Sequence, residues 1–272
     1  MMNCDTKYPI FLVHGTASRD RKLLRYWGRI PTALEKRGAK LFYGHQDSWG
    51  SIEHNAEVLK ANLEKILAET NCEKVNIIAH SKGELDVRYM ISSLGMADRV
   101  ASLTTVAAPH HGSKTIDLLC KIPTWLYKAG GFFTNLFFRI LGDKKPDFYT
   151  ASRQFQTSHM AAFNERNPDS DIVYYQSYAA AMKSSFSDIL LFFTHFFVRL
   201  VEGENDGLVT IKSAAWTNFK GTLRGTTRRG VSHADEVDAR RMNFSRKISE
   251  DGISDIRDFY VNVVSELKRK GL

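Results

Sequence analysis

Three cysteines, Cys4, Cys72 and Cys120, are too few for a disulfide framework in a chain of 272 residues, and their spacing demands no pairing. Long apolar runs are missing too. The two richest stretches, 132–141 and 189–201, fall short of the roughly 20 residues a helix needs to cross a bilayer, and polar residues interrupt both. No transmembrane segment is therefore expected. The first nine residues contain no apolar core of the secretory-leader type. The expectation is a cytoplasmic protein if the chain is full-length, or a secreted one if it is a mature form. Internal repeats, low-complexity tracts and linker-like stretches are absent as well. What remains is a single domain over residues 1–272, long enough to bury a substantial core.

The net charge is +8, but lysine and arginine are scattered and no zinc-finger or RNA-recognition pattern accompanies them. Nucleic acid is not an expected partner. The cluster Arg224, Arg228, Arg229, Arg240, Arg241, Arg246 and Lys247 reads as a solvated face with at most a mild attraction to anionic interfaces.

Short β-branched or apolar runs alternate with helical periodicity along the chain. Tyr8 to Val13, Ala39 to Tyr43, Lys74 to His80, Val100 to Ala107 and Ile172 to Tyr178 read as strands. Between them lie helical patterns over 21–37 (split at Pro31 and closed by Gly38), from Ser51 to Leu67, and after Ser81; Ser152 to Asn167 also reads as helical, stopping at Pro168. A last helix is predicted over 254–270. The alternation predicts an α/β fold with a mostly parallel central sheet and helices on both faces. Two aromatic-rich segments interrupt it, at about 115–148 and 180–201. Each reads either as core helices or as a helical lid over an apolar cleft, with Gly130-Gly131 and the Gly142 to Pro146 stretch as candidate hinges.

The stretch around which the chain is organised is Val75-Asn76-Ile77-Ile78-Ala79-His80-Ser81-Lys82-Gly83. An apolar run stops at a serine flanked two residues away by Ala79 and Gly83, and a helical pattern follows. A strand, a tight turn and a helix lift a hydroxyl above a sheet, and the sharpness of the turn requires small flanking residues. A serine hydroxyl needs an imidazole to take its proton and a carboxylate to orient that imidazole. After Ser81 the chain supplies Asp206, in Asn-Asp-Gly, and then His233, in a short polar loop; His159 and His195 compete for the imidazole role. Backbone N–H groups of Lys82, just after the serine, and Thr16, just after the first strand, are the candidate oxyanion donors.

Five segments taken together resemble the bacterial true lipases, the triacylglycerol lipases of the Pseudomonas and Burkholderia type and their Gram-positive relatives. They are Tyr8-Pro9-Ile10-Phe11-Leu12-Val13-His14-Gly15, Ile77-Ile78-Ala79-His80-Ser81-Lys82-Gly83, Thr105-Val106-Ala107-Ala108-Pro109-His110-His111-Gly112-Ser113, Asn205-Asp206-Gly207-Leu208-Val209 and Ser232-His233-Ala234-Asp235-Glu236-Val237. The resemblance spans nearly the whole chain. It implies the α/β-hydrolase fold, carboxylester hydrolysis through an acyl-enzyme on Ser81, the set Ser81, Asp206 and His233, oxyanion donors at Thr16 and Lys82, and a lid near 115–141. The substrate it implies is a lipid or other acyl ester at an oil–water interface. Catalysis is expected to need no cofactor. The resemblance does suggest a structural calcium ion with Asp235 and Asp188 among its ligands; the alternative for Asp235 is a salt bridge or a turn cap. Some relatives hold zinc, and His45, Asp47 and His54 are the residues at hand, without a recognised ligand spacing. Two departures stand out: Ala79 where glycine is commoner, as in Bacillus-type relatives, and Glu84 where the family usually has glycine. A short-chain esterase, a transacylase with the same triad and a non-catalytic binding module are the rival readings, the last disfavoured by the intact serine, aspartate and histidine.

Overall fold

The computed structural model describes residues 3–16, 26–243 and 255–272. Residues 21–25 of the first helical pattern, Arg246, Lys247 and Ser254 lie outside the described residues.

Six parallel strands form one sheet in the order β2-β1-β3-β4-β5-β6. They are β1 (Ile10–Val13), β2 (Leu41–Tyr43), β3 (Val75–His80), β4 (Val100–Val106), β5 (Tyr174–Ala180) and β6 (Phe219–Leu223). Every residue of β1, β3 and β4 is buried. That is why their sequences run apolar and β-branched with little alternation: a parallel sheet is covered on both faces. The period of two survives as a division between two cores. Ile10, Leu12 and Ile78 join Trp27, Leu34, Phe259 and Tyr260 on one face. Phe11, Val13, Ile77 and Ala79 join Leu59, Leu63, Val87 and Met90 on the other.

The first face is covered by α1 (Ile30–Glu35) and α10 (Ile256–Arg269), the second by α2 (Ile52–Thr70) and α3 (Gly83–Ser92). Helix α2 starts where Ser51 accepts the His54 N–H, and it buries Ile52, Ala56, Leu59, Leu63 and Ile66 on one stripe. Each such large aliphatic side chain contributes about 1.5–3 kcal/mol by leaving water.

From β1 the chain steps outward to β2, then returns past β1 to β3 and continues to β6. The strand order therefore reverses between β1 and β3. In open parallel sheets a crevice opens at the carboxyl ends of the strands at such a reversal. Thr16 follows β1 and Ser81 follows β3, so the sequence brings both to that crevice.

Several elements differ from the sequence-based expectation. The pattern over 152–167 is two helices, α6 (Phe148–Arg153) and α7 (Thr157–Arg166). The break is held from afar: Asp117 accepts both the N–H and the hydroxyl of Thr157, and Gln154 is tied to Ile52 and Glu53. Strand β6 has a polar, glycine-containing edge sequence that gives no clear periodicity. Strand β5 runs through Ala180, so the second aromatic segment begins beyond it.

Gly130-Gly131 marks no break in the chain. Both residues sit inside the continuous helix α5 (Thr124–Ile140), where each glycine costs only about 1 kcal/mol relative to alanine. A Cβ on Gly131 would meet Phe148 Cδ1 at an ordinary contact distance of 3.5 Å, and one on Gly130 would meet open space. The two aromatic segments form α4 (Lys114–Leu119), α5 and α8 (Phe192–Glu202). Trp125 is 70% exposed, Phe133 69% and Leu190 87%, so these segments are not ordinary core helices.

Candidate active site

At Ser81 the strand-to-helix reversal leaves the backbone with φ +54°, a region sparsely populated by residues with a Cβ. The Ser81 N–H bonds Val106 O at 3.0 Å, which anchors the turn to the end of β4. Small neighbours are obligatory. A Cβ on Gly83 would come within 2.2 Å of His14 O, and one on Gly15 within 2.7 Å of Ser81 Cβ. Ala79, fully buried within β3, occupies the other flank without strain of its own. Lys82 is the N-cap of α3, so its N–H has no carbonyl to bond within the helix. Its ammonium is turned away, 2.5 Å from Asp86 Oδ1.

Asp206 and His233 meet although 27 residues separate them. His233 Nδ1 lies 2.8 Å from Asp206 Oδ2, and the His233 backbone N–H bonds Asp206 O at 2.8 Å. The other carboxylate oxygen, Oδ1, accepts the N–H groups of Leu208 and Val209, both at 2.8 Å. The Asn-Asp-Gly turn thus serves as a cradle for the carboxylate. Burial alone would raise this carboxyl group; the His233 ring and the two backbone donors outweigh it and hold Asp206 below the usual carboxylate range. His233 lies against His80, the residue preceding Ser81, with ring centroids 4.5 Å apart. Of the competing histidines, His195 bonds Ser185 through Nδ1 at 2.8 Å, and His159 is held in α7.

A second string of buried groups runs beneath this pair, and sequence reasoning did not assign it. The Gly15 N–H donates to Tyr26 Oη at 2.9 Å; Tyr26 Oη is 2.6 Å from His80 Nδ1; His80 Nε2 is 2.7 Å from Glu236 Oε2. Glu236 Oε2 is also 3.4 Å from His233 Nδ1. With His80 carrying its proton on Nε2, the string runs donor to acceptor from Gly15 through Tyr26 and His80 to Glu236. Burial, then His233 and His14, push His80 well below the usual imidazole range, which keeps it neutral. Burial, then the neighbouring Asp206, push Glu236 well above the usual carboxylate range. The string connects the loop after β1 to the histidine–carboxylate pair. The sequence signal for Glu236 was its spacing three residues after His233.

Above Ser81 lies a cavity of ≈670 Å³ lined by Thr16, Ser81, Leu118, Leu119, Tyr127, Phe155, Phe193, Phe197 and Leu208 among others. Its walls are almost wholly apolar. Helices α4, α5 and α8 all contribute to this lining, so the two aromatic segments line the cleft. This volume is typical of small-molecule and cofactor sites.

Glu84, the unexpected residue in α3, is fully buried. Its Oε1 lies 3.2 Å from His110 Nδ1 and 3.6 Å from Arg88 Nε, and neither carboxyl oxygen makes a hydrogen bond. His110 stacks on Trp216 with centroids 5.1 Å apart, and Arg88 covers the same indole at 4.3 Å. Burial, only partly opposed by Arg88, raises the Glu84 carboxyl to about 8. The folded state therefore binds this proton more tightly than the unfolded chain. The resulting stability is fully present below the unfolded value near 4.5 and is lost as pH rises through about 8. Over that window it amounts to a few kcal/mol, because each tenfold gain in proton affinity on folding is worth about 1.4 kcal/mol. Wild type should therefore lose melting temperature between pH 5 and 9 more steeply than Glu84→Gln; superimposable slopes would refute this assignment.

The calcium site suggested by resemblance does not fit the residues present. Asp188 forms an ion pair with Arg240 and accepts the Leu190 and Leu191 N–H groups. Asp235 accepts the Ser232 N–H and hydroxyl, both at 3.0 Å, with Arg229 Nη2 at 3.7 Å. Each carboxylate has a guanidinium as its countercharge where a calcium site would need it free. Among the described residues, neither belongs to a group of three side chains able to share an ion. The same holds for His45, Asp47 and His54: Asp47 accepts the N–H groups of Lys144 and Lys145 and pins that loop.

Comparison with known proteins places this geometry in context. No family model matches the chain. It is 29% identical over 265 residues to triacylglycerol lipase 2 of Saccharomyces cerevisiae, covering 91% of this chain and 74% of that protein. A triacylglycerol lipase of Pseudarthrobacter phenanthrenivorans is 31% identical over 180 residues, 61% of this chain; the chain spans little more than half of that relative, 56%. The Staphylococcus hyicus lipase structure superposes with a TM-score of 0.70 over 97% of both chains at 16% identity.

Proposed function

We propose that this chain, related to the triacylglycerol lipases and built on the α/β-hydrolase fold, is a serine carboxylester hydrolase for long-chain acyl esters. One observation carries the reading: a serine held at φ +54° in the lining of an apolar cavity, preceded by His80, whose ring lies against His233, a histidine bonded through Nδ1 to a buried carboxylate.

In this reading Ser81 Oγ attacks the ester carbonyl carbon. His233 Nε2 takes the hydroxyl proton as the bond forms, and Asp206 keeps the Nδ1 proton in place and stabilises the imidazolium. The oxyanion accepts the N–H groups of Lys82 and Thr16, each such donor worth about 3 kcal/mol to the transition state. His233 then protonates the departing alcohol, leaving Ser81 acylated. Water, deprotonated by His233, attacks the acyl-enzyme; as the bond to Ser81 Oγ breaks, His233 returns that proton to Oγ and the carboxylic acid is released. The side chains supply every proton transfer, so this chemistry needs no cofactor.

The second string has a positioning part. The Tyr26 hydroxyl holds the Gly15 N–H and thereby orients the loop that carries Thr16. The chain is read as one domain over 1–272, with the segments at about 115–148 and 180–201 forming a lid-like rim over the cavity. Its apolar walls suit an acyl chain, and a glyceride or similar lipid is the proposed substrate.

Hydrolysis of nitrophenyl esters of increasing acyl length, below and above the concentration at which they aggregate, tests this. The expected outcome is a preference for long chains and a rate that rises when aggregates form. Fast turnover of short soluble esters alone would favour the esterase reading. Product appearing only when an acceptor alcohol is added would favour acyl transfer.

A further inference from the structure

Helices α5 and α8 and the turn before α8 present more apolar surface to solvent than the cavity beneath them needs. Trp125, Phe133 and Ile140 on one side, and Phe186, Leu190 and Phe193 on the other, are each at least 65% exposed. Large apolar side chains exposed in such number on two segments that line one cavity mark an interaction site.

The exposed charges of these segments are of one sign. Within 114–147 the exposed charged side chains are Lys114, Lys121, Lys128, Arg139, Lys144 and Lys145. Within 183–202 they are Lys183 and Arg199. The acids of the same segments are buried or half-buried and bonded to the protein. Asp117 holds Thr157, Asp143 the N–H groups of Ser48 and Trp49, and Asp147 the N–H of Thr150. Asp188 holds the N–H groups of Leu190 and Leu191, and Glu202 the hydroxyls of Ser113 and Thr115. The next acid, Glu204, is paired with Arg224 at 2.9 Å. The two apolar segments thus carry eight exposed cations and no exposed carboxylate.

We propose that this face docks on the surface of an anionic phospholipid bilayer, which brings the mouth of the Ser81 cavity against membrane lipid. The proposal rests on the ester-hydrolase reading for what the docked protein does there, but not for the docking itself. Aromatic and aliphatic side chains enter the acyl boundary while lysine and arginine stems lie along it and keep their charges at the headgroups. The cations favour anionic headgroups, with a range set by the screening length of the salt. A neutral oil surface offers nothing for these cations to recognise. A second copy of the chain would bring the same positive charges against themselves and be repelled. No described helix is long and apolar enough to cross the membrane, so attachment is to the surface.

The experiment uses the full chain carrying Ser81→Ala, so that binding is read without hydrolysis and independently of whether Ser81 is the nucleophile. Sedimentation with sucrose-loaded vesicles compares phosphatidylcholine alone with a phosphatidylcholine–phosphatidylglycerol mixture. Binding to the mixture should be roughly tenfold or more stronger, and should weaken as salt is raised. Lys121→Glu with Lys128→Glu and Arg139→Glu should abolish the preference for the mixture. Phe133→Asp with Leu190→Asp should weaken binding to it under all salts. All five side chains are exposed, and unchanged melting curves would verify that the variants fold. Equal binding to both vesicles would overturn the proposal. So would failure to bind either, whether the protein is then monomeric or forms a concentration-dependent dimer through this face.

Discussion

Ser81→Ala is expected to lower kcat for ester hydrolysis by about 10⁵- to 10⁶-fold, the scale seen when a triad nucleophile is removed. KM should hardly change, because Ser81 is a small part of the cavity proposed to bind the acyl chain, whose lining is mostly apolar groups from other segments. The substitution removes one hydroxyl from a nearly buried site and leaves Cβ, the turn and its bond to Val106 intact. Stability should therefore be preserved or slightly improved, since the strained φ is unchanged and a polar atom in an apolar cavity is gone. Initial-rate kinetics with a long-chain nitrophenyl ester, beside a thermal melt, read both parts. A variant within tenfold of wild type would mean that some other group carries the attack.

The second large effect concerns the two carboxylates near His233. Asp206→Asn removes the acceptor that fixes the Nδ1 proton, a change that costs about 10⁴-fold where no substitute exists. Here a substitute is at hand. Glu236 Oε2 lies 3.4 Å from the same nitrogen, and part of what keeps Glu236 protonated is the charge of Asp206. Once that charge is removed, Glu236 ionises more readily and can hold the imidazolium. The single variant Asp206→Asn is therefore expected to lose only about 10- to 100-fold, and Asp206→Asn with Glu236→Gln about 10⁴-fold. The pH profile separates this from mere loosening of the site. The single variant should need a higher pH for activity, because its supporting carboxylate must ionise. Glu236→Gln alone should act nearly as wild type if its melting temperature is maintained. Equal losses in the single and double variants would show that Glu236 gives no support.

Much of this arrangement was legible in the sequence because it rests on short-range rules. Val75 to His80 and Ile10 to Val13 are apolar throughout because both faces of a parallel sheet are covered, and small residues flank Ser81 because the turn leaves no room. The order of Ser81, Asp206 and His233 pointed to three residues that follow different parts of one sheet. The relatives named triacylglycerol lipase agree with the resemblance that five short motifs had suggested.

What the sequence hid depends on contacts between distant segments. The break between α6 and α7 is held by Asp117, far from it in the chain. Glycine is permissive, not obligatory, at a bend, so Gly130-Gly131 could not distinguish a break in the chain from the interior of a continuous helix. Strand β6 lies at a solvated edge, where alternation is weak. The string from Gly15 through Tyr26 and His80 to Glu236 joins four chain segments, and no local pattern marks it. Asp188 and Asp235 had the right residue type for calcium, but only folding brings Arg240 and Arg229 against them.

The central claim is that Ser81 is a nucleophile activated by His233. Intact-mass measurement after exposure to a serine-reactive fluorophosphonate tests it most directly. The account predicts a single adduct on wild type, mapped to the peptide containing Ser81, absent from Ser81→Ala and formed far more slowly in His233→Ala. A folded wild-type protein that takes up no label, or that carries the label on another residue, would contradict it.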